Sequence, residues 1–372
     1  MKKFILTLCV VLTVASAWAC TSAIVSGKLT PDGRPLLWKH RDTGEENNKV
    51  ERIKATKNHL EYVALFNASD TKCREAWMGY NSAGFAIMNT ASYNLKSDTV
   101  DAAHMDKEGS FMRKALERCH SVSDFKNFLD TLKRPLRVEA NFGVIDAQGE
   151  GGYFETNNYT YTFYDLNKSE DGILTRTNYS YSGRVDAGFG YIREQNEKDL
   201  LAPFIQQKAV TPEVFTEKIS RTYYHSLLGE DFTNSGKKWL VDQDFIPRRI
   251  STASTVIAGV LPGENPLLTH MWIGIGYPPC SEVRLVWLGE NGVPKDLQGV
   301  GESGHSPLCD IVVARKNIVY NLKRGSGKEY INLSKLYNAE GTGFCQVLKP
   351  INAEYYRKGK LEIDRRRNQL KK

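Results

Sequence analysis

One junction constrains this chain more than any other stretch: residues 17–20, Ala-Trp-Ala-Cys. It follows a basic pair at residues 2–3 and an apolar run at residues 4–14. That run is about half the ~20 residues that a membrane-spanning helix needs. A basic start, a short apolar run and a small-x-small triplet are typical of a cleaved export signal. The sequence therefore predicts a signal peptide at residues 1–19 and a mature chain that begins with Cys20, in the periplasm or outside the cell.

A terminal Cys20 would carry a thiol and a free α-amine on one residue. An α-amine titrates near neutral pH, so it can accept the proton of its own thiol, directly or through one water. No separate histidine is then needed as the base. The chemistry still needs a group that holds the amine, donors for an oxyanion and a pocket for the acyl group.

The net charge does not indicate a nucleic-acid partner. The 50 Lys and Arg against 43 Asp and Glu give +7. Residues 354–372 hold eight basic and three acidic side chains, which is +5, and the leader holds the other two charges. The body is therefore near neutral, and we predict a basic helical tail at residues 353–372 after one catalytic domain at residues 20–352.

The cysteines do not indicate a disulfide scaffold or a metal site. Besides Cys9 in the leader and Cys20, the chain has five widely spaced cysteines, and their pairing stays open: Cys73, Cys119, Cys280, Cys309 and Cys345. No CxxC or HExxH motif occurs, so we expect neither a metal nor another cofactor.

Short alternating strands and paired helices predict an α+β fold. Strands are expected at residues 21–27, 35–41, 62–67, 75–78 and 85–89, with a turn at 79–84. Further strands are expected within residues 141–177, at 254–260 and within 271–287. Helices are expected at 107–119, after Ser121 or Ser123, at 190–207 and from Thr211 to Thr222. Two groups of strands separated by helix pairs predict a four-layer α/β/β/α sandwich of two antiparallel sheets.

Several motifs resemble one enzyme family in order and spacing. They are Cys20-Thr21-Ser22, Asp32-Gly33, Leu36 through Asp42, Gly79 through Gly84 with Asn89, Gly143 through Glu150 with Glu155, Thr177-Asn178-Tyr179, and Met271 through Gly276 with Pro278-Pro279-Cys280. Over residues 20–288 the chain resembles N-terminal-nucleophile cysteine amidohydrolases of the choloylglycine hydrolase and penicillin acyltransferase group. The resemblance implies the four-layer sandwich of these enzymes and hydrolysis of a linear amide C–N bond.

Carried over by position, the resemblance implies the catalytic residues. Cys20 is the nucleophile, Asp42 binds its amine, and Asn178 and Asn89 line the oxyanion site, with Thr90 or Asn94 as alternatives to Asn89. A carboxylate suits the role of Asp42, because it orients an ammonium group.

Two basic residues are candidate substrate contacts, Lys39 and Arg193. The bile-salt branch of the family has an arginine three residues before the aspartate, where this chain has Lys39. Lysine lacks the planar fork of arginine, which favours the acyltransferase-like branch. Arg193 resembles an arginine at a helix start near the substrate, and a surface position for either residue stays open.

Other patterns predict structure rather than chemistry. His305, Cys309 and Asp310 lie in a stretch rich in Gly, Ser and Pro that we interpret as a loop, not as a Cys–His pair. The glycines at residues 149–152 fit a turn and no phosphate loop. The tyrosines at residues 153–181 lack a basic stripe, which argues against nucleic-acid binding.

The sequence thus predicts an exported amidase or acyltransferase that acts on a small-molecule amide, and it leaves open whether the protein is a homo-oligomer. A cysteine-terminal dipeptidase is the nearest alternative and would need a site for the free amine of its substrate. A binding module lipidated on Cys20 is the alternative from another class. Trp18 fits a lipobox poorly, because that position takes a small residue.

Overall fold

The structure is a computed structural model that describes residues 20–322 and 329–370. The expected signal peptide at residues 1–19 lies outside the described residues. In chain order the described strands are β1 (Thr21–Val25), β2 (Leu36–Asp42), β3 (Asn48–Ile53), β4 (Tyr62–Asn67), β5 (Met78–Asn81), β6 (Ala86–Ala91), β7 (Ala140–Ile145), β8 (Gly151–Thr156), β9 (Tyr161–Asp165), β10 (Ile173–Arg176), β11 (Tyr224–His225), β12 (Glu230–Asp231), β13 (Trp239–Val241), β14 (Ser251–Ala258), β15 (His270–Ile275), β16 (Val283–Trp287) and β17 (Tyr330–Asn332). The described α-helices are α1 (Glu108–Arg118), α2 (Val122–Thr131), α3 (Tyr191–Gln206), α4 (Pro307–Val319) and α5 (Phe344–Leu370).

Two antiparallel sheets form the middle of the molecule. One has six strands in the order β10-β1-β2-β14-β15-β16, and the other is a seven-stranded meander from β3 to β9. Their facing sides share one apolar core, in which Ile24, Leu37 and Ile257 of the first sheet are buried with Val63 and Met88 of the second. Strand β1 lies between β10 and β2, so the residue that precedes it sits at a buried strand end.

Helices cover both outer faces. Helices α1 and α2 bury Phe111 and Phe125 against Phe142 of the seven-stranded sheet. On the six-stranded sheet, α3 and a helical segment after it pack against β1, β2 and β14, while α5 packs over β15 and β16. There Tyr356 lies 4.2 Å from Trp272 between ring centroids. The predicted four-layer α/β/β/α order is confirmed.

The glycine-rich turn was predicted too long. Strand β5 begins later than expected, at Met78, and contains Gly79. A Cβ on Gly79 would lie 2.4 Å from the Val63 carbonyl oxygen, so glycine is required there for the close approach of β4. The chain turns at residues 82–84, where Gly84 has a φ of +80°.

The loop expected around residues 305–310 was also wrong, because Cys309 and Asp310 lie in the first turns of α4. Pro307 occupies the start of this helix, where its missing N–H costs nothing. His305 Nδ1 lies 2.9 Å from Asp310 Oδ1, whereas Cys309 Sγ donates to the Glu46 carbonyl 3.6 Å away. These contacts form a histidine–carboxylate hydrogen bond and a buried thiol, not a Cys–His pair.

Two further segments differ from the predicted helices. The helix expected from Thr211 to Thr222 is irregular, with a π-helical turn at Val214–Lys218 and a 3₁₀ turn at Ile219–Arg221. Helix α5 runs through the expected domain boundary at residues 352/353. Across the described ranges, no helix has both the length and the apolarity needed to cross a bilayer.

Candidate active site

Cys20 lies buried at the start of β1, with 7% of its surface exposed. Strand β1 pairs with β2 so that Thr21 is opposite His40 and Ser22 is opposite Lys39. One more step of this antiparallel register places Cys20 beside Arg41, at the end of β2. The Cys20 thiol lies 3.8 Å from the Asp42 carbonyl oxygen. The register therefore brings the expected nucleophile to the expected aspartate.

Alternate side chains of β2 serve opposite sides of the sheet, as strand geometry requires. Lys39 points between the sheets, where its Nζ donates to the Trp77 carbonyl at 3.0 Å. Arg41 points the same way and donates to Asn48 and Asn67 of the seven-stranded sheet. His40 and Asp42 point toward the helices. Residues 39–42 therefore place two cationic side chains between the sheets and a histidine and a carboxylate on the helix side.

Four cations interact electrostatically with the Cys20 sulfur: Lys39, Arg41, Arg193 and Arg248. Burial is the main cause that lowers the pKa of Lys39 to about 8, of Arg41 to about 10 and of Arg193 to about 9. Fixed positive charge in a buried site stabilises negative charge that develops during a reaction. The surroundings of Cys20 therefore suit a reaction that forms an oxyanion.

The orientation of Asn89 is set by Lys39. Its Oδ1 accepts from Lys39 Nζ at 2.8 Å. Because an ammonium group only donates, the carbonyl oxygen of the amide has to face the lysine, and the NH₂ group faces elsewhere. Of the other two candidates on this segment, Thr90 accepts from Asn141, and Asn94 accepts from the Ser180 backbone at 2.8 Å. Asn89 is therefore the member of the three that Lys39 orients.

Arg193 orients Asn178 in the same way and also contacts the nucleophile's backbone. One guanidinium nitrogen donates to Asn178 Oδ1, and the other donates to the Cys20 carbonyl and to Thr21 Oγ1, all at 2.8 Å. Asn178 Nδ2 donates to the Ala91 carbonyl at 2.9 Å. A Cβ on Gly190, at the start of α3, would lie 2.3 Å from Arg193, so glycine makes room for this guanidinium.

Asp42 is held on the helix side by residues that the sequence reasoning missed. Its Oδ2 accepts from Arg248 Nε at 2.9 Å, and its Oδ1 accepts from Ser251 Oγ at 2.7 Å. Ser251 is the first residue of β14 and Arg248 lies three residues before it, more than 200 residues along the chain from Asp42. The pair Arg248-Arg249 before a buried strand was the available signal, but nothing local linked it to Asp42.

His40 connects Asp42 to the helical layer. Its Nε2 lies 2.8 Å from Ser251 Oγ, and its Nδ1 lies 3.1 Å from Ser220 Oγ. Burial lowers the pKa of His40 to about 4, so the ring is neutral near pH 7. Since Ser251 gives its hydroxyl proton to Asp42, we assign the imidazole proton to Nε2, where the Ser251 oxygen accepts it.

A cavity of about 470 Å³ adjoins this site. Asn89 and Trp77 line it, so it begins at two partners of Lys39. Three carboxylate side chains lie in the wall: Asp106, Glu108 and Glu139. In the described ranges no group of three or more His, Cys, Asp or Glu side chains is placed to hold a metal ion.

The other described cysteines are free thiols in poorer settings for nucleophilic attack. Burial raises the pKa of Cys73 and Cys345 to about 11 and of Cys119 and Cys309 to about 12. A nucleophilic cysteine reacts as its thiolate, which such values disfavour.

No protein-family model matches this sequence, and a search of curated proteins finds no match. Solved structures that resemble it include an N-acylethanolamine-hydrolyzing acid amidase ortholog of Caenorhabditis elegans, at 14% identity over 66% of this chain and 94% of that one, with a TM-score of 0.40. A variant of the conjugated bile acid hydrolase of Clostridium perfringens is 11% identical over 72% and 92%, with a TM-score of 0.43. Penicillin V acylase of Agrobacterium tumefaciens is 9% identical over 72% and 86%, with a TM-score of 0.37.

All three belong to the group that the sequence motifs resemble. At these identities and scores, the function of this chain has to be argued from its own site.

Proposed function

We propose that this chain is an amide hydrolase that uses Cys20 as an N-terminal nucleophile. The Cys20 sulfur attacks the substrate carbonyl, and the α-amine takes the thiol proton. The amide C–N bond then breaks, the amine group passes that proton to the leaving nitrogen, and the acyl group stays on sulfur as a thioester. Water, or an acceptor amine in an acyl transfer, attacks the thioester and frees Cys20.

The observation that carries this proposal is the convergence of two cation-oriented asparagines on one cysteine. Lys39 holds the oxygen of Asn89, and Arg193 holds the oxygen of Asn178 while it contacts the Cys20 carbonyl. In each amide the NH₂ group is thereby directed away from the cation. Asn178 Nδ2 also donates to the Ala91 carbonyl, which fixes the plane of that amide.

Asp42 has the charge needed to hold the amine of Cys20. Arg248 and Ser251 fix its carboxylate from the helix side. We assign it the role of orienting the amine and stabilising the ammonium that forms when the thiol proton is taken. Asn89 and Asn178 are assigned to the oxyanion, and Lys39 and Arg193 to their orientation and to substrate contact.

Leader removal after Ala19 is the activation step in this proposal, because an internal Cys20 has an amide nitrogen that cannot act as a base. Export to the periplasm or beyond the cell then coincides with maturation. The proposal needs no metal or cofactor, and a small-molecule amide is the partner.

Variants of Cys20 test the nucleophile. We expect Cys20→Ala and Cys20→Ser to abolish turnover across a panel of acyl amides, N-acyl amino acids, β-lactams and bile-acid conjugates, with an unchanged circular dichroism spectrum. A protein that retains a Met before Cys20 should also be inactive until the Met is removed. Activity in the folded Cys20→Ala variant would disprove the mechanism.

The intact mass of the exported protein tests the state of the terminus. We expect a chain that begins with unmodified Cys20. A diacylglyceryl adduct on Cys20 would instead support the lipidated binding module, because the thiol would be blocked.

A further inference from the structure

The cavity beside Asn89 has an acidic wall, and Asn89 connects it to Lys39, one of the cations around Cys20. Glu108 is the first residue of α1, is 8% exposed and accepts from the Glu139 backbone at 3.1 Å. Asp106 and Glu139 complete the acidic end, and Lys96 is the one basic side chain among the described residues that line the cavity. A ligand in this cavity meets three carboxylates in the wall, and at Asn89 it meets a partner of Lys39.

Two polar atoms of residues in this wall have no hydrogen-bond partner within the described ranges. One is the indole N–H of Trp77, a residue that is 9% exposed, and the other is Glu139 Oε1. A buried unpaired donor and a buried unpaired acceptor are each costly and usually indicate a missing partner. An oxygen acceptor would satisfy the indole N–H, and an N–H donor would satisfy Glu139 Oε1.

We infer that this cavity binds an acyl group that carries an ammonium, so that the substrate is an amide of an amino acid or of a similar amino-bearing acid. The inference rests on the proposed function, because it places the acyl carbonyl at Cys20. The ammonium pairs with Glu139 and Glu108, and the carbonyl end of the acyl group lies toward Lys39 and Asn89.

The arrangement also orients the substrate. Lys39 interacts electrostatically with both Cys20 and Glu108, and its Nζ donates to Asn89 and to the Trp77 carbonyl, two residues of the cavity wall. It repels an ammonium and attracts a developing oxyanion, and the reversed pose is therefore disfavoured at both ends. Burial raises the pKa of the buried Glu108 to about 7, and it also raises the pKa of the half-buried Glu139, where Lys96 and Arg184 act in the opposite direction. A bound ammonium stabilises their charged forms.

This site supplies the feature that the dipeptidase alternative lacked in the sequence, a place for a free amine. It also argues against purely apolar acyl groups, which would leave Glu139 Oε1 and the Trp77 indole N–H without partners. Because charge-assisted hydrogen bonds are stronger than neutral ones, the preference for an ammonium-bearing acyl group should be about tenfold or more.

The test compares L-alanyl and isobutyryl p-nitroanilides, which differ by an ammonium in place of a methyl group. We expect the mature enzyme to show kcat/KM about tenfold or more higher for the alanyl substrate. In Glu139→Gln and Glu108→Gln the alanyl-to-isobutyryl ratio should fall about tenfold. Glu362→Gln, on α5 and outside the cavity, should keep the wild-type ratio.

Binding to the full-length Cys20→Ala variant provides a readout that does not depend on turnover. By calorimetry, L-alaninamide should bind more tightly than isobutyramide, and Glu139→Gln should remove the difference. Equal binding of the two probes, or of neither, would overturn the inference, as would a higher kcat/KM for the isobutyryl substrate. Preferential binding of alaninamide without hydrolysis of any amide would instead retain the cavity assignment and contradict the proposed function.

Discussion

The two sides of β2 differ in how they handle charge. Between the sheets, the cations Lys39 and Arg41 are bound to neutral acceptors, namely asparagine amides and a backbone carbonyl, so their positive charge is not cancelled. On the helix side, the Asp42 carboxylate is paired with Arg248 and joined to neutral His40 through Ser251. One side therefore maintains a positive potential, and the other fixes a single carboxylate in place.

The difference indicates that the two sides of β2 have separate roles in a reaction at Cys20. A reaction at Cys20 needs positive potential for the oxyanion and a fixed negative charge for the amine. Because adjacent residues of a strand point to opposite sides, four consecutive residues can supply both without cancelling each other at close range. Residues on the two sides should then fail in different ways when they are changed.

Asp42→Asn should have the largest effect. The substitution keeps the shape of the side chain but removes the charge that stabilises the ammonium of Cys20. Since acid–base assistance contributes about 10²–10⁴-fold, we expect kcat to fall by that factor on the best amide of the panel. The measurement is steady-state kinetics on the mature enzyme, with the N-terminus confirmed by mass.

Asp364→Asn, on the exposed side of α5, is the matched control and should keep full activity. A folded Asp42→Asn enzyme with wild-type kcat would show that the helix side of β2 has only a structural role.

His40→Gln tests the helix side through stability. His40 and His270 are both buried, and burial lowers the pKa of each from 6.5 to about 4. Between these pH values the unfolded chain binds more protons than the folded one, so the free energy of unfolding decreases as the pH falls from 6.5 to 4. Each histidine should account for about 3 kcal/mol of this loss, measured by urea unfolding across that range.

The two histidines separate stability from function. His40→Gln and His270→Gln should each remove about 3 kcal/mol of the decrease in the free energy of unfolding between pH 6.5 and 4. Only His40→Gln should lower kcat, because only His40 reaches Asp42 through Ser251. Equal kcat values in the two variants would remove His40 from the site.

The part of the site that is local in sequence could be predicted, and the part that folding assembles could not. Cys20 follows from the cleavage pattern and Asp42 from the family resemblance, and β1 and β2 are consecutive strands that pair with each other. Arg248, Ser251 and Glu139 lie far along the chain, and none belongs to a motif with a chemical meaning. Their role depends on which side of a strand or helix faces β2.

The fold was predicted better than its irregular parts, for a similar reason. Alternating apolar residues fix the strands and the helix pairs, whereas local composition misled at Gly79 and at Pro307. Gly79 serves a close approach of β4, which is not visible in the local sequence, whereas Pro307 at a helix start is a local signal that was read as part of a loop.

A double-mutant cycle tests whether Lys39 acts through Asn89 on the inter-sheet side. Removal of an oxyanion donor costs about 10²–10³-fold, so Asn89→Ala should lower kcat by that factor. Lys39→Met should cost about 10–100-fold, and the double variant should lose little more than Asn89→Ala alone, because residues in one network are not additive.

Lys316→Met is the matched control for this cycle. Lys316 is equally buried but pairs with Glu46, so its effect should add to that of Asn89→Ala. Additive losses for Lys39 and Asn89 would show that Lys39 does not act through the amide.

The smallest expected effect is a pH dependence in which activity and stability change in opposite directions. Burial lowers the pKa of Lys39 from 10.5 to about 8. Between these values the unfolded chain binds one proton more at this site, so the Lys39 contribution to the free energy of unfolding increases with pH from 8 to 10.5, by about 3 kcal/mol in total.

Activity should change in the opposite direction. Over the same pH range the neutral amine of Lys39 no longer attracts an oxyanion or fixes Asn89 as a cation does. The ratio of wild-type kcat to Lys39→Met kcat should therefore fall above pH 8, by up to about tenfold per pH unit until the two converge, while the wild type gains stability relative to the variant. A ratio that stays constant from pH 7 to 10, with urea unfolding that shows the stability gain, would mean that the charge of Lys39 is a cost of folding and not a part of the reaction.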